Sequence, residues 1–425
     1  MNKTLVTLLL AGAAAPAQEA RSLTLAQAVE LALRQHPEVA LARLEEQKAR
    51  DGVAEARAPF VPRLSAGSGL AYSSGFPLSI EGSAPSIVQV QGSQFLFNRA
   101  QSYRVKEARE MAASTEISTG ARADEIAWRV AVTYLDWERA VRAATAAVRQ
   151  VETLERVQGL VGERVQAGRD LPLELTRARV ETARSRARRQ EIENQAALLE
   201  AALRADLGLG EERLRPVENR APAPPPASEQ AAVEAALAAS KEIQRLEAVV
   251  RARGYQVEAE KSERYPRADL VAQYALLGRY NNYDDFFRTF ERHNGQIGVS
   301  LQLPLFARGQ IAPRVARARA EAEEAQLRLR AARQSVDLEA RRLFRAAAQA
   351  GAARELSRLE LDLARESLSV ALARFDEGRV ALRDVEQARA GEAARWESFY
   401  DAQTAADKAG LTLLRHTGGL HAALR

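Results

Sequence analysis

Two halves of the chain repeat one another in register, and this duplication limits its possible folds more than any other feature. Ala28-Val29-Glu30 and Leu33 return as Ala232-Val233-Glu234 and Leu237, an offset of 204 (232 − 28). Glu38-Val39 against Glu242-Ile243, and Pro62-Arg63 against Pro266-Arg267, keep that offset. Leu96-Phe97 against Leu305-Phe306 gives 209 (305 − 96). Tyr134 with Phe344, Arg164 with Arg374, and Gly168-Arg169 with Gly378-Arg379 settle at 210 (344 − 134). A nearly constant offset over most of a chain marks a duplicated structural unit. The Pro-rich run from Ala221 to Pro226 lies where a linker between the copies belongs. The expected organisation is a signal peptide over 1–17, a first repeat over 18–220, a linker over 221–227 and a second repeat over 228–425. Strand pairs are expected at about 64–97 and 269–303.

Each repeat reads helix, strand, loop, strand, long helix, turn, helix. The first helix is expected from Thr24, a suitable N-cap, to about Ala56, where Pro59 and Pro62 stop it. Its twin runs from Ser228 to about Arg264, ahead of Pro266. From Ile311 to Phe375 only Pro313, acceptable in a first turn, and Gly351 interrupt the helical pattern. At 1.5 Å per residue that helix is roughly 100 Å long. Its counterpart runs from about Ala100 to Val165. Leu327, Leu338, Leu356, Leu363 and Val370 recur among many alanines. Small side chains let helices approach closely, and helices this long need coiled-coil partners. Trp128, Trp137 and Trp396 sit within such helices and are expected to pack in cores or interfaces.

Between each proline and phenylalanine of the repeat the 3.6-residue period disappears. Gln296 to Leu303 alternates: Ile297, Val299, Leu301 and Leu303 share one face, and Gln296, Gly298, Ser300 and Gln302 the other. This is a strand with one apolar and one wet side. Leu270 to Tyr280 alternates more weakly, and Leu64 to Tyr72 and Ile87 to Phe97 form the matching pair in the first repeat. About ten alternating residues suit a tilted membrane strand. They also suit a hairpin in a soluble domain. The wet faces carry Gln, Ser and Gly rather than charge, and the intervening segments 73–85 and 281–292 are long and polar, as in outer-membrane barrels. Four strands cannot close a barrel, whose smallest outer-membrane form has eight, so copies must pool strands. Two copies would give eight strands and a filled interior; three would give twelve and an aqueous lumen.

The N-terminus suits export. Lys3 precedes an apolar run from Leu5 to Ala15, and Ala15-Pro16-Ala17 offers small residues to a signal peptidase. No later stretch has the ~20 apolar residues of a membrane helix. Cysteine is absent, so no disulfide, thiolate metal site or lipidated Cys is available. The 61 basic and 56 acidic residues are interleaved along helix faces, which argues against a nucleic-acid site. His36, His293, His416 and His421 are dispersed, no phosphate-binding glycine loop is present, and no catalytic constellation is recognisable. No cofactor, metal or enzyme activity is expected.

These features together resemble the TolC-like outer-membrane efflux proteins, the outer-membrane factors of tripartite pumps and type I secretion systems. Leu23-Thr24-Leu25-Ala26-Gln27-Ala28-Val29-Glu30-Leu31-Ala32-Leu33 followed by His36-Pro37-Glu38 is similar to that family's mature N-terminus. Arg164-Val165-Gln166-Ala167-Gly168 and Arg374-Phe375-Asp376-Glu377-Gly378 are similar to its twice-occurring helix-hairpin signature. The resemblance spans the mature chain. It implies a mainly α fold with a transmembrane β part: a trimer with a twelve-stranded barrel, four strands per subunit, in the outer membrane, and an α-helical barrel in the periplasm. It further implies a periplasmic adaptor, an inner-membrane transporter and outer-membrane lipid as partners, with no nucleic acid. The function implied is a passive conduit gated at the periplasmic helix tips. The alternative is a soluble periplasmic coiled-coil interaction protein. Many pump-associated members carry a lipidated Cys that this chain lacks.

Gly168 and Gly378 would end long helices at the periplasmic tips. A carboxylate follows six residues after each: Glu174 and Asp384. In the family a carboxylate matching Asp384 lines the periplasmic constriction, so Asp384 and Glu174 are the constriction candidates. Either could equally be a solvated residue favoured by a helix N-terminus. Arg169 and Arg379 would hold the tips closed or meet the adaptor.

Overall fold

A computed structural model describes residues 21–69, 86–169, 171–217, 226–277, 291–305, 308–377, 379–380 and 382–424. The signal segment and most of the Pro-rich run lie outside these residues. Two compact units emerge, and neither is one repeat. The first takes residues through Ala40, Arg122–Ala239 and Asp337–Arg425; the second takes Leu41–Ala121 and Ser240–Val336. Each repeat thus contributes to both.

The helices are α1 (Leu25–Gln35), α2 (Pro37–Arg57), α3 (Arg99–Gln166), α4 (Pro172–Leu207), α5 (Glu229–Ala239), α6 (Lys241–Ser262), α7 (Arg308–Asp376), α8 (Leu382–His416) and the short α9 (Leu420–Ala423). The strands are β1 (Arg21–Leu23), β2 (Arg63–Gly69), β3 (Ser86–Phe97), β4 (Leu214–Pro216), β5 (Arg267–Leu277) and β6 (His293–Gln302). Helices α3 and α7 run 68 and 69 residues without a break.

Thr24 caps α1 as its sequence suggests. Its hydroxyl accepts from the Gln27 amide at 3.2 Å, and Gln27 Oε1 accepts from the Thr24 amide at 3.1 Å. The single helix expected from Thr24 to Ala56 is in fact two. His36 turns to an extended conformation (φ −64°, ψ 128°) because Pro37 disfavours the helical conformation in the residue before it, and Pro37 then starts α2. Its twin also divides, at Ser240, whose hydroxyl caps α6 by accepting from the Ile243 amide at 3.3 Å. The long helix of the second repeat begins at Arg308, not Ile311, so Pro313 lies inside it. Having no N–H, Pro313 leaves the Gly309 carbonyl without its helical donor.

The first unit's core is laid down by α1, α3, α4 and α8. Ile126, Val130, Tyr134 and Trp137 project from α3 onto Ala28, Leu203, Leu207 and Leu411. Trp137 is 1% exposed and meets Tyr134 edge-on at 5.8 Å. Trp128 donates its indole N–H to Thr412 Oγ1 at 3.1 Å. A parallel ribbon of β1 and β4, absent from the sequence expectation, closes this core. Tyr134 Oη lies 2.7 Å from the Leu23 carbonyl and 2.8 Å from that of Val217, so its proton can satisfy either. Burial pushes this phenol up to about 12. In the second unit Ala252 and Ala259 of α6, and Ala318 and Ala325 of α7, are buried at heptad spacing, the small-residue seam of closely approaching helices.

Candidate functional site

Strands β2, β3, β5 and β6 form one antiparallel sheet in that order, all within the second unit. The register decides what each face carries. Leu270 opposes Val299, Ala272 opposes Ile297 and Ala268 opposes Leu301; Val90 opposes Tyr274, and Ala66 opposes Val90. Directly opposed residues share a face, so these make one apolar surface. Ile297, Val299 and Leu301 are 76%, 62% and 72% exposed on it. The opposite face carries Ser65, Gln91, Gln273 and Gln296 in one row across all four strands. Gln296 Nε2 donates to Gln273 Oε1 at 2.8 Å. Charge on that face is confined to one end, at Arg63, Arg267 and Asp269, with Arg267 Nε 3.5 Å from Asp269 Oδ2.

The strand expectations hold with shifted ends. β6 starts three residues earlier than expected because His293 to Gly295 pair with Leu276 to Tyr274, and the Tyr274 hydroxyl meets His293 Nδ1 at 2.8 Å. Residues 70–72 and 278–280, expected in strands, and most of the two polar segments between strands lie outside the described residues. Among the described residues the outer edges of β2 and β6 have no partner strand.

The helix tips belong to the first unit. At the end of α3, Gly168 takes φ 70°. Its amide donates to the Val165 carbonyl at 3.0 Å and the Arg169 amide to that of Arg164 at 2.9 Å. This pair of bonds is a Schellman C-cap, which wants glycine at the left-handed position. In the second repeat the Arg379 amide donates to the Arg374 carbonyl at 2.8 Å. Gly378 itself lies outside the described residues. Arg379 Nη1 also reaches Glu377 Oε2 at 3.1 Å. Glu174 stands in the first turn of α4, where Arg177 Nη1 donates to its Oε1 at 2.7 Å. Asp384 is exposed in the first turn of α8.

One ionic cluster escaped the sequence reading. Glu38 Oε1 accepts from Arg129 at 3.0 Å, its other oxygen pairs with Arg122, and Arg129 lies 4.0 Å from Asp206. The Glu38 amide donates to Nδ1 of His36, which is 6% exposed. The Pro37 break sets these side chains at the head of α2, a geometry that helical periodicity does not reveal. The Arg129 hydrogen bond, helped by both guanidinium charges, holds the Glu38 carboxyl below its ordinary 4.5. A carboxylate lowered on folding stabilises the fold fully above that ordinary value and loses the contribution as pH falls through the lowered one. The protection factors of the amides at 36 and 38–40, with the intrinsic pH dependence of exchange divided out, are therefore expected to be constant above about pH 6 and to fall below about pH 4. Protection that stays constant into acid would refute the linkage.

A family model described as outer membrane efflux protein matches residues 28–209 and again 232–419. No curated protein matches the sequence. Among solved structures, the Campylobacter jejuni CmeC outer membrane channel is 17% identical, with a TM-score of 0.75 over 93% of this chain and 86% of that one. The outer membrane protein VceC of Vibrio cholerae is 19% identical, with a TM-score of 0.72 over 93% and 96%. The Neisseria gonorrhoeae MtrE outer membrane channel, in its open state, is 18% identical, with a TM-score of 0.72 over 93% and 89%. With both halves matched by one family model, and helices and sheet arranged as in these channels, the chain belongs to the outer membrane efflux protein family.

Proposed function

We propose that three copies of this outer-membrane efflux channel pool their sheets into one twelve-stranded barrel, with β6 of each copy pairing with β2 of the next. The open sheet with its exposed apolar face carries this reading. Unpaired strand edges cannot face lipid, and head-to-tail pairing of unlike edges closes a ring. Two exposed stripes support the same assembly in the first unit. Leu356, Leu363 and Val370 repeat every seven residues along α7, and Leu173 and Val180 do so on α4. An apolar stripe at heptad spacing fits a facing helix of another copy. A soluble coiled-coil protein would have no use for an outward row of Ile297, Val299 and Leu301. Extraction of the full chain from membranes should require detergent, and cross-linking should trap trimers. Release by high salt alone would sink the barrel, and a stable dimer would sink the stoichiometry.

Residues 1–17 are removed on export in this reading, and 221–227 join the repeats. The channel performs no chemistry; an inner-membrane transporter, reached through a periplasmic adaptor, supplies the energy. Asp384 and Glu174 ring the periplasmic constriction, while Gly168, Arg169, Gly378 and Arg379 shape the tips that meet the adaptor. Asp384→Ala should raise single-channel conductance in planar bilayers or relieve block by multivalent cations. Identical values for both would remove Asp384 from the constriction.

A further inference from the structure

Where the strands of the second unit give way to helices, a cavity of about 330 Å³ opens among the start of α3, the turn before β5, the end of β6 and the start of α7. Arg99, Arg267 and Arg314 line it together with Asn98 and Tyr265. Its one acidic lining residue, Glu263, is engaged by Arg104. The Arg99 guanidinium lies over the rings of Tyr265, at 4.6 Å, and Tyr103, at 5.8 Å. Among the described residues Arg314 has no hydrogen bond or ion pair. The lining is therefore cationic: Arg267 is paired with Asp269, which leaves Arg99 and Arg314 as its cations without a carboxylate partner among the described residues.

Leu303 also lines the cavity. It follows β6 and continues the outward parity of Ile297, Val299 and Leu301, with Leu305 beyond it also exposed. Arg267 and Gln302 reach the cavity from the wet face and Leu303 from the apolar one, so it lies at the rim of the sheet where the two faces meet. Arginines beside tyrosines at the end of a membrane-spanning apolar face are suited to headgroups, and guanidinium binds phosphate through paired hydrogen bonds. We infer that each subunit binds the phosphate of one phospholipid of the inner leaflet here, its acyl chains running back along the outward row through Leu303, Leu301 and Val299. The inference rests on the barrel reading above.

Native mass spectrometry of the delipidated full-length trimer tests it. Titration with palmitoyl-oleoyl-phosphatidylglycerol should saturate at three lipids per trimer. Dioleoylglycerol, which has tails without phosphate, should not bind, and millimolar inorganic phosphate should not displace the lipid. Arg314→Gln should weaken lipid binding roughly tenfold, the size of one lost charge-assisted hydrogen bond. Arg99→Gln should do the same, while Arg328→Gln, exposed elsewhere on α7, should change nothing. Equal retention of dioleoylglycerol, full displacement by phosphate, or unchanged affinity in both cavity variants would each overturn the inference. These outcomes are read on an intact trimer, so they are separate from a failure of the barrel itself, which would give no detergent-dependent trimer to titrate.

Discussion

Val299→Arg should remove the protein from the outer-membrane fraction. Val299 is central in the outward row of β6, opposite Leu270 of β5. An arginine facing lipid near the bilayer midplane costs about 2–4 kcal/mol, and a trimer carries three of them, roughly 6–12 kcal/mol in all. That equals most of the ~5–15 kcal/mol by which an ordinary domain is stable. The neighbouring change Ser300→Arg supplies the control, because one step along a strand moves a side chain to the other face. There the guanidinium meets the wet interior, close to Asp269, its direct partner across the pair. Ser300→Arg should assemble normally and shift ion selectivity towards anions. Fractionation followed by unheated gel electrophoresis reads both variants. Equal trimer yields would mean that the Ile297–Val299–Leu301 face does not meet lipid.

The second large effect lies in the first unit. Trp137→Ala empties a fully enclosed site against Tyr134 and should cost about 3–5 kcal/mol. Trp396→Ala is the comparison. That indole stacks on Tyr400 at 5.3 Å, carries the Arg365 guanidinium at 4.3 Å and remains partly exposed. It should cost markedly less, since the remaining structure can relax and water can fill the space. Pulse proteolysis of the detergent-solubilised protein reads both. A loss at Trp396 equal to that at Trp137 would mean that the packing around Tyr134 is not what holds this unit together.

Much of this was legible in the sequence because it is periodic. The duplication, the four strands and their two faces, and the length of α3 and α7 all repeat at intervals of two, seven or about two hundred residues. What escaped is local or distant. The breaks at His36 and Ser240 hang on single residues inside otherwise continuous apolar patterns. Pro37 was in plain view, but the pattern on either side of it reads as one helix. The β1–β4 ribbon is three residues deep on each side, too short for alternation to register, and its strands are far apart in sequence. The Glu38–Arg122–Arg129–Asp206 cluster joins charges that, read linearly, belong to ordinary solvated faces. At the tips, both Arg164-to-Gly168 and Arg374-to-Gly378 announce a helix end, and the Arg169 and Arg379 amides close matching bonds. The constriction proposed for Glu174 and Asp384 rests on the family resemblance and not on local pattern, because a ring of charge would be a property of the assembly and a lone carboxylate in a first helical turn is common.

The strand order has a consequence for how the protein is made. The central pair of the sheet joins β3 to β5, with Gln91 opposite Gln273. As the chain emerges from the inner membrane N-terminus first, β2 and β3 arrive well before any strand that can complete their sheet. Contacts between such distant segments form slowly, and unsatisfied strand edges invite aggregation in the interval. The β3 edge of a newly translocated first half therefore stays open until β5 has crossed, and the outer edges of β2 and β6 stay open within any single copy.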